Sequence, residues 1–477
     1  MIERWSRDQV LALAPDAASR SAAQKVAAPG KWSACGTTGT VVYGECEGSG
    51  ARPYLACVDL TEPAYRCSCP SRKFPCKHAL GLLLMWAADG VPVEQGAPQW
   101  VTEWVEARAE RAAKEAAKIE EARAKKAAEV SSGEADGEAH GAGRSGGSSR
   151  SGAESVRHGR VAAGLSELER WLDDQVRQGL AGAAEHEWEG LAKRLIDAQA
   201  PGVAGVVSRL VRVRADDDWP GRLLEEYALI HLLAVAYRRR AELPGALAET
   251  VLSRVGFPVP KEEVLAGAAV RDRWDVLGRR DEEQDRLTSR RVWLRGRRSG
   301  RAALVLSFAP QGQPLDASLV TGTTIEADLT YYPGAAPLRA LVATRHDPGA
   351  TAAMRSGPGA GGAAWPASGA DDATRYDSGA GGAVAGTPPG VSPEQALDEV
   401  AGVLGEDPWT ESWPLVLAGV VPGRDSIGGL PLHRAARDPW RLIAVSGGRP
   451  VTVAVEWTPR GLRPLTTWDD EGTAVIL

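Results

Sequence analysis

The sequence predicts an α+β multidomain protein: a small β/α module at the N-terminus, a central helical domain and a β-rich C-terminal region, joined by two disordered linkers. Three observations predict it. All six cysteines (Cys35, Cys46, Cys57, Cys67, Cys69 and Cys76) lie before residue 80. Apolar residues recur at helical spacing between residues 161 and 285, then change to strand-like runs. Two low-complexity stretches interrupt the pattern, and 477 residues are too many for one ordinary core.

Residues 1–100 form the first unit. Val41, Val42, Tyr43, Tyr54, Leu55 and Val58 lie in short runs broken by Gly44, Gly48 and Gly50, which predicts short antiparallel strands and tight turns. Ala79 to Trp86 reads as a short buried helix. Residues 101–130 form a charged helical spacer: between Glu103 and Glu129 seven acids balance seven bases, which argues against a basic DNA-reading helix. Residues 131–160 are a Ser/Gly-rich linker without enough apolar surface to order itself.

Residues 161–285 read as helical, with Leu165, Leu168, Leu172 and Val176 on one face and Leu223, Tyr227 and Ile230 on another. Residues 286–346 are β-rich. Residues 347–392 are a second disordered linker. Residues 393–477 return to β-rich sequence after a helix at 393–404, with strands expected at 414–421, 440–446, 450–457 and 473–477.

The apolar share of 43% and charged share of 25% exclude a wholly disordered or collagen-like chain. A net charge of −6 excludes a protein that coats nucleic acid through bulk electrostatics, so any such contact needs a local patch. Neither a signal-peptide core nor an apolar run of about 18 residues is found, which points to a soluble cytoplasmic protein away from membranes.

The segment Tyr65-Arg66-Cys67-Ser68-Cys69-Pro70-Ser71-Arg72-Lys73-Phe74-Pro75-Cys76-Lys77-His78 carries the chemistry. It reads C-x-C, six residues, then C-x-H. Three thiolates and one imidazole suit tetrahedral zinc. In a strand Cys67 and Cys69 share a face, while Cys76 and His78 enter the helix that follows. Four protein ligands leave no open position, so one structural Zn2+ is expected. A plain cluster of reduced thiols and a redox-switched zinc site are the other readings. Cys35, Cys46 and Cys57 read as buried small hydrophobes.

This segment resembles the SWIM zinc finger, a module of bacterial proteins, transposase-like proteins and some eukaryotic regulators. The stretch from Gly164-Leu165-Ser166-Glu167-Leu168 onward is similar in style to longer bacterial members. The resemblance implies Cys67, Cys69, Cys76 and His78 as zinc ligands. It also permits a place in an AAA+ ATPase-associated assembly.

Arg66, Arg72, Lys73 and Lys77 crowd the same segment and offer positive charge to an anionic partner, DNA first, another protein second. A second basic run, Arg290, Arg291, Arg295, Arg297, Arg298 and Arg301 beside Trp293, reads as a solvated hairpin edge or, more sharply, as a phosphate-tracking ribbon. Asp281 and Glu282 stand ready to neutralise it. His231 reads as a core histidine, and His158 falls in the first linker. Neither H-E-x-x-H nor a Walker A element is found. No enzymatic activity and no small-molecule substrate are expected.

Overall fold

Two short helices open the chain in the computed structural model, which describes residues 4–48, 52–133, 148–182, 184–284, 287–310, 313, 315–346 and 386–477. Helix α1 (Arg7–Ala12) starts on a reciprocal cap between Ser6 and Gln9, and α2 (Ala17–Val26) starts on Asp16. Strands β1 (Trp32–Thr37), β2 (Val41–Cys46), β3 (Tyr54–Asp59) and β4 (Ala64–Cys67) form an antiparallel meander in chain order. Strand alternation gives it two apolar faces. Val42, Ala56 and Val58 pack on α3 (Lys77–Ala87), which is buried on nearly every side. Val41, Tyr43 and Cys57 pack on Val101 in the first turns of α4 (Gln99–Gly133).

The helical region comprises α5 (Ser148–Gln178), α6 (Glu185–Asp197), α7 (Pro201–Val213), α8 (Trp219–Arg238), α9 (Gly245–Val255) and the short α10 (Lys261–Leu265). Leu165, Leu168 and Leu172 line its core with Trp188, Leu191, Leu210 and Tyr227. Helix α7 approaches the end of α9 so closely that a Cβ on Gly202 would lie 2.1 Å from the Arg254 carbonyl oxygen. Only glycine fits there.

Residues 148–160, assigned to the first linker, are instead the opening turns of α5. Tertiary contacts hold the last of them. His158 Nδ1 lies 2.7 Å from the Tyr237 hydroxyl and its ring stacks on Phe257. Residues 134–147 of that linker and 347–385 of the second lie outside the described residues. His231 is also corrected: its side chain is half exposed, 4.0 Å from Glu169, on the outer side of α8.

Next comes a closed five-stranded barrel of β5 (Ala269–Gln284), β6 (Leu287–Gly296), β7 (Ala302–Pro310), β8 (Thr324–Tyr331) and β9 (Arg339–His346). Residues 269–284, expected in the helical domain, are its longest strand. Their inward residues Trp274 and Val276 join Val292, Leu294, Ala327 and Leu329 inside the barrel. The order is β5-β6-β7-β9-β8, antiparallel throughout except for β7 beside β9.

The C-terminal unit packs α11 (Pro393–Glu406) on a sheet of β10 (Trp413–Val420), β13 (Val451–Trp457), β14 (Arg463–Trp468) and β15 (Ala474–Ile476). The small hairpin β11 (Ser426–Ile427) and β12 (Leu430–Pro431) lies between them in sequence. Residues 440–446, expected as a strand, form helix α12 (Trp440–Ser446). The short apolar run suits either state, and the left-handed Gly447 closes the helical turn. Residues 386–392, assigned to the second linker, are structured: Val391 exchanges backbone hydrogen bonds with Val416 and Ala418. Trp413 and Trp468 are buried, Trp409 packs on the helical core, and Trp440 is exposed.

The N-terminal module does not hang from a tether. Gln9 donates to the Thr321 carbonyl (3.1 Å), Arg279 donates to the Ala12 carbonyl, and Asp8 pairs with Arg441. These contacts seat the module on the barrel and the C-terminal unit.

Candidate metal centre

Cys67 ends β4, opposite Ala56 of β3. Beyond it the ladder continues through Ser68, whose N–H donates to the Leu55 carbonyl (3.0 Å) and whose Oγ accepts from the Leu55 N–H (2.9 Å). This pins the knuckle and leaves Cys67 and Cys69 on one side. Cys76 is the N-cap of α3, and His78 sits in its first turn. The positive end of the helix therefore faces the sulfurs.

The four ligand atoms all lie within 4.8 Å of one another, and Cys67 Sγ is 3.7 Å from His78 Nδ1. Zinc–sulfur bonds of about 2.3 Å in a tetrahedron place sulfurs about 3.8 Å apart, so this donor set fits one ion. Cys76 and His78 are buried; Cys67 and Cys69 are half-buried. Tyr54 backs His78, with ring centroids 4.8 Å apart. Hydrogen bonding from Cys67, with His78 and the Ala79 amide adding to it, holds the Cys76 thiol well below the usual range. Cys67, sharing that proton, is pushed up. The pocket thus favours at least one thiolate, the form that binds metal. Four protein donors close the coordination sphere, which is the arrangement of a structural site.

The remaining cysteines do not join this centre. Cys46 and Cys57 are buried in the meander and Cys35 is half-buried. Burial pushes the thiols of Cys35 and Cys57 up, to about 11 and about 12.

The four basic residues of the motif divide. Arg66 precedes Cys67 in β4 and so points to the opposite face, where it donates to the Trp100 carbonyl (3.2 Å). Arg72, Lys73 and Lys77 are exposed on the metal loop and the helix start. Lys73 pairs with Asp16 at 2.5 Å, and this contact holds the Asp16 carboxyl down to about 2. Lys73 and Lys77 line a cleft of about 720 Å³ between α2 and the metal loop, with Lys31, Glu47, Tyr54 and the ligands Cys69, Cys76 and His78 on its walls. Lys31, Glu47 and Tyr54 had no signal in the sequence, because the fold brings them from separate elements.

The second basic run is not a free edge. Strand β6 is paired on both sides. Arg290 makes a two-pronged contact with Asp281, Arg295 pairs with Glu399 and Arg297 with Asp275. Arg291 faces Glu282 at 3.8 Å, Arg298 donates to the Arg271 carbonyl and Arg301 lies over the Tyr331 ring. The acids Asp281 and Glu282 do neutralise part of it.

Two family models match the chain. Residues 57–87 match the SWIM zinc finger, and residues 156–255 match the SWIM-associated four-helix bundle domain. The first covers the metal centre with β4 and α3; the second runs from within α5 to the end of α9. No curated protein and no solved structure matches the chain.

Proposed function

For a chain that carries a SWIM zinc finger and its associated helical bundle, we propose the role of a non-catalytic binding protein. One structural Zn2+ held by Cys67, Cys69, Cys76 and His78 fixes the N-terminal module. The cleft beside it receives an anionic partner, DNA first. The observation that carries this reading is the convergence of Lys31, Lys73 and Lys77 on a cleft walled by the metal ligands. Arg72 extends the same exposed edge, whereas Arg66 faces away.

Zinc on three thiolates leaves a centre of charge −1, and Asp16 already holds Lys73. The surplus is therefore small, and binding rests on few phosphates. Each phosphate contact contributes about −0.9 to the log–log salt slope, so about three contacts predict a slope near −3. Metal analysis with co-purification of the intact protein, followed by duplex DNA titration from about 50 to about 300 mM salt, tests the reading. One zinc per chain and that slope are expected. A flat salt response contradicts the DNA partner.

A second reading is a protein-interaction adaptor, including one in an AAA+ ATPase-associated assembly. It is favoured by the exposed Leu224 and Leu232 on α8 and Ile196 on α6. Stoichiometric co-purified protein without nucleic acid supports it. We place the protein in the cytoplasm, where a reducing medium keeps the ligand thiols available. Among the described residues no helix is long and apolar enough to cross a membrane.

A further inference from the structure

We infer that the barrel carries a nucleic-acid contact of its own, a short single-strand site on the uncovered end of its β6–β7 face, distinct from the cleft at the metal centre. The connectivity raises the question. A closed five-stranded barrel in the order first-second-third-fifth-fourth, with the third and fifth strands parallel, has the connectivity of an OB-type Greek-key barrel. Such barrels bind oligonucleotides and oligosaccharides across the outer face of their second and third strands. Connectivity alone assigns no ligand. The side chains on that face do.

Strand pairing sorts the outer face into rows. The first row is Gly278, Trp293 and Leu304; the second is Arg280, Arg291 and Leu306; the third is Glu282, Ser289 and Phe308. The C-terminal sheet covers the first row. Trp293 and Leu304 pack on Val416, Ala454, Leu465 and Trp468, and a Cβ on Gly278 would come within 2.6 Å of Leu465. Thr466 Oγ1 also donates to the Leu277 carbonyl at 2.7 Å. The chain thus seals one end of the usual ligand face with its own sheet.

The third row stays open. Phe308 is 54% exposed, so more than half of its side chain is open to a ligand. Cations border it. Arg280 and Arg463 share a single buried carboxylate, Glu456, at 2.5 and 3.6 Å, which leaves one positive charge over. Arg291 lies in the second row, a third exposed, and pairs with Glu282 at 3.8 Å, so the three arginines face two carboxylates and the surplus on this face is a single positive charge. An exposed ring for a base and guanidinium groups for the adjoining phosphates are what an unpaired strand needs. A duplex keeps its bases stacked and does not offer them to the ring. A neutral sugar would make no use of the charges.

The test uses the full-length, metal-loaded protein at low salt, with labelled oligo-dT of about twelve nucleotides and a duplex of the same length. Phe308→Ala should lower oligo-dT affinity about tenfold, the loss of one base–ring stack, with duplex affinity and melting temperature unchanged. Phe308→Trp should restore it, and Arg291→Gln should weaken oligo-dT binding and flatten its salt dependence. Lys77→Gln, in the metal cleft, should weaken the duplex and leave the Phe308→Ala effect in place. Equal oligo-dT affinity for wild type and Phe308→Ala overturns the proposal, as does failure of the wild type to bind oligo-dT. Loss of duplex binding alone with Lys77→Gln bears on the metal-cleft reading instead.

Discussion

In the helical bundle the interior is apolar almost throughout: Leu168, Trp188, Leu191, Leu195 and Leu210 are fully buried. Among its polar interior contacts, the Trp188 indole of α6 donates to the Tyr227 hydroxyl of α8 at 3.1 Å. The N-terminal module also has an apolar core around α3, but it spends the start of that helix on Cys76 and His78, polar groups that are buried beside two further thiols. Such groups are costly unless they are satisfied. One region is therefore held by side-chain burial and the other by burial together with an ion. Each region thus fails by a different route.

Loss of a metal ligand has the largest expected effect. Cys69→Ser or Cys76→Ser should abolish zinc binding, which in small metal modules is worth about 10–16 kcal/mol, and should loosen residues 4–98. The bundle should keep its helices. Metal content and hydrogen exchange, read region by region, check this. Equal loosening of both regions would mean that the ion supports the whole chain and not one module.

The converse substitution is Trp188→Ala. It should cost the bundle about 3–5 kcal/mol through the cavity it leaves, with zinc content unchanged. Thermal melting with metal analysis reads both sides. Loss of zinc in this variant would show that the two regions are not separate.

Acid gives the smallest effect and sharpens the contrast within the bundle. Burial, with Arg240 and Arg157 nearby, holds the His158 pKa below its ordinary value. The native state therefore refuses a proton that the unfolded chain accepts near pH 6.5. Stability from this group is present above about pH 6.5 and declines as pH falls toward the lowered value. His158→Gln should flatten the dependence of the bundle's melting temperature on pH in that window. An unchanged pH profile would contradict the assignment.

What could be read from the chain divides along the same line. The metal centre was legible because its four donors lie within twelve residues, and a strand end and a helix start bring them together without help from elsewhere. The helical face of Leu165, Leu168 and Leu172 was legible because its period is local, although Val176, which continues that spacing, is exposed. The cleft was not, since Lys31, Glu47 and Tyr54 reach it from separate segments of the chain. The barrel was half legible. Strands near 303–308 and 324–329 show as apolar runs, but in β5 the charged Arg271, Asp272 and Arg273 follow the opening Ala269-Val270 and mask the inward Trp274 and Val276. Its closure depends on register between distant strands. The basic run misled for the same reason: Glu399 and Asp275, which hold Arg295 and Arg297, stand far away in sequence.

X-ray absorption spectroscopy of the purified, intact protein addresses the metal directly. Three sulfurs at about 2.3 Å and one nitrogen at about 2.0–2.1 Å around a single zinc per chain are predicted. A shell with fewer than three sulfurs, or a bound water in place of the imidazole, would contradict the closed structural centre on which the module is built.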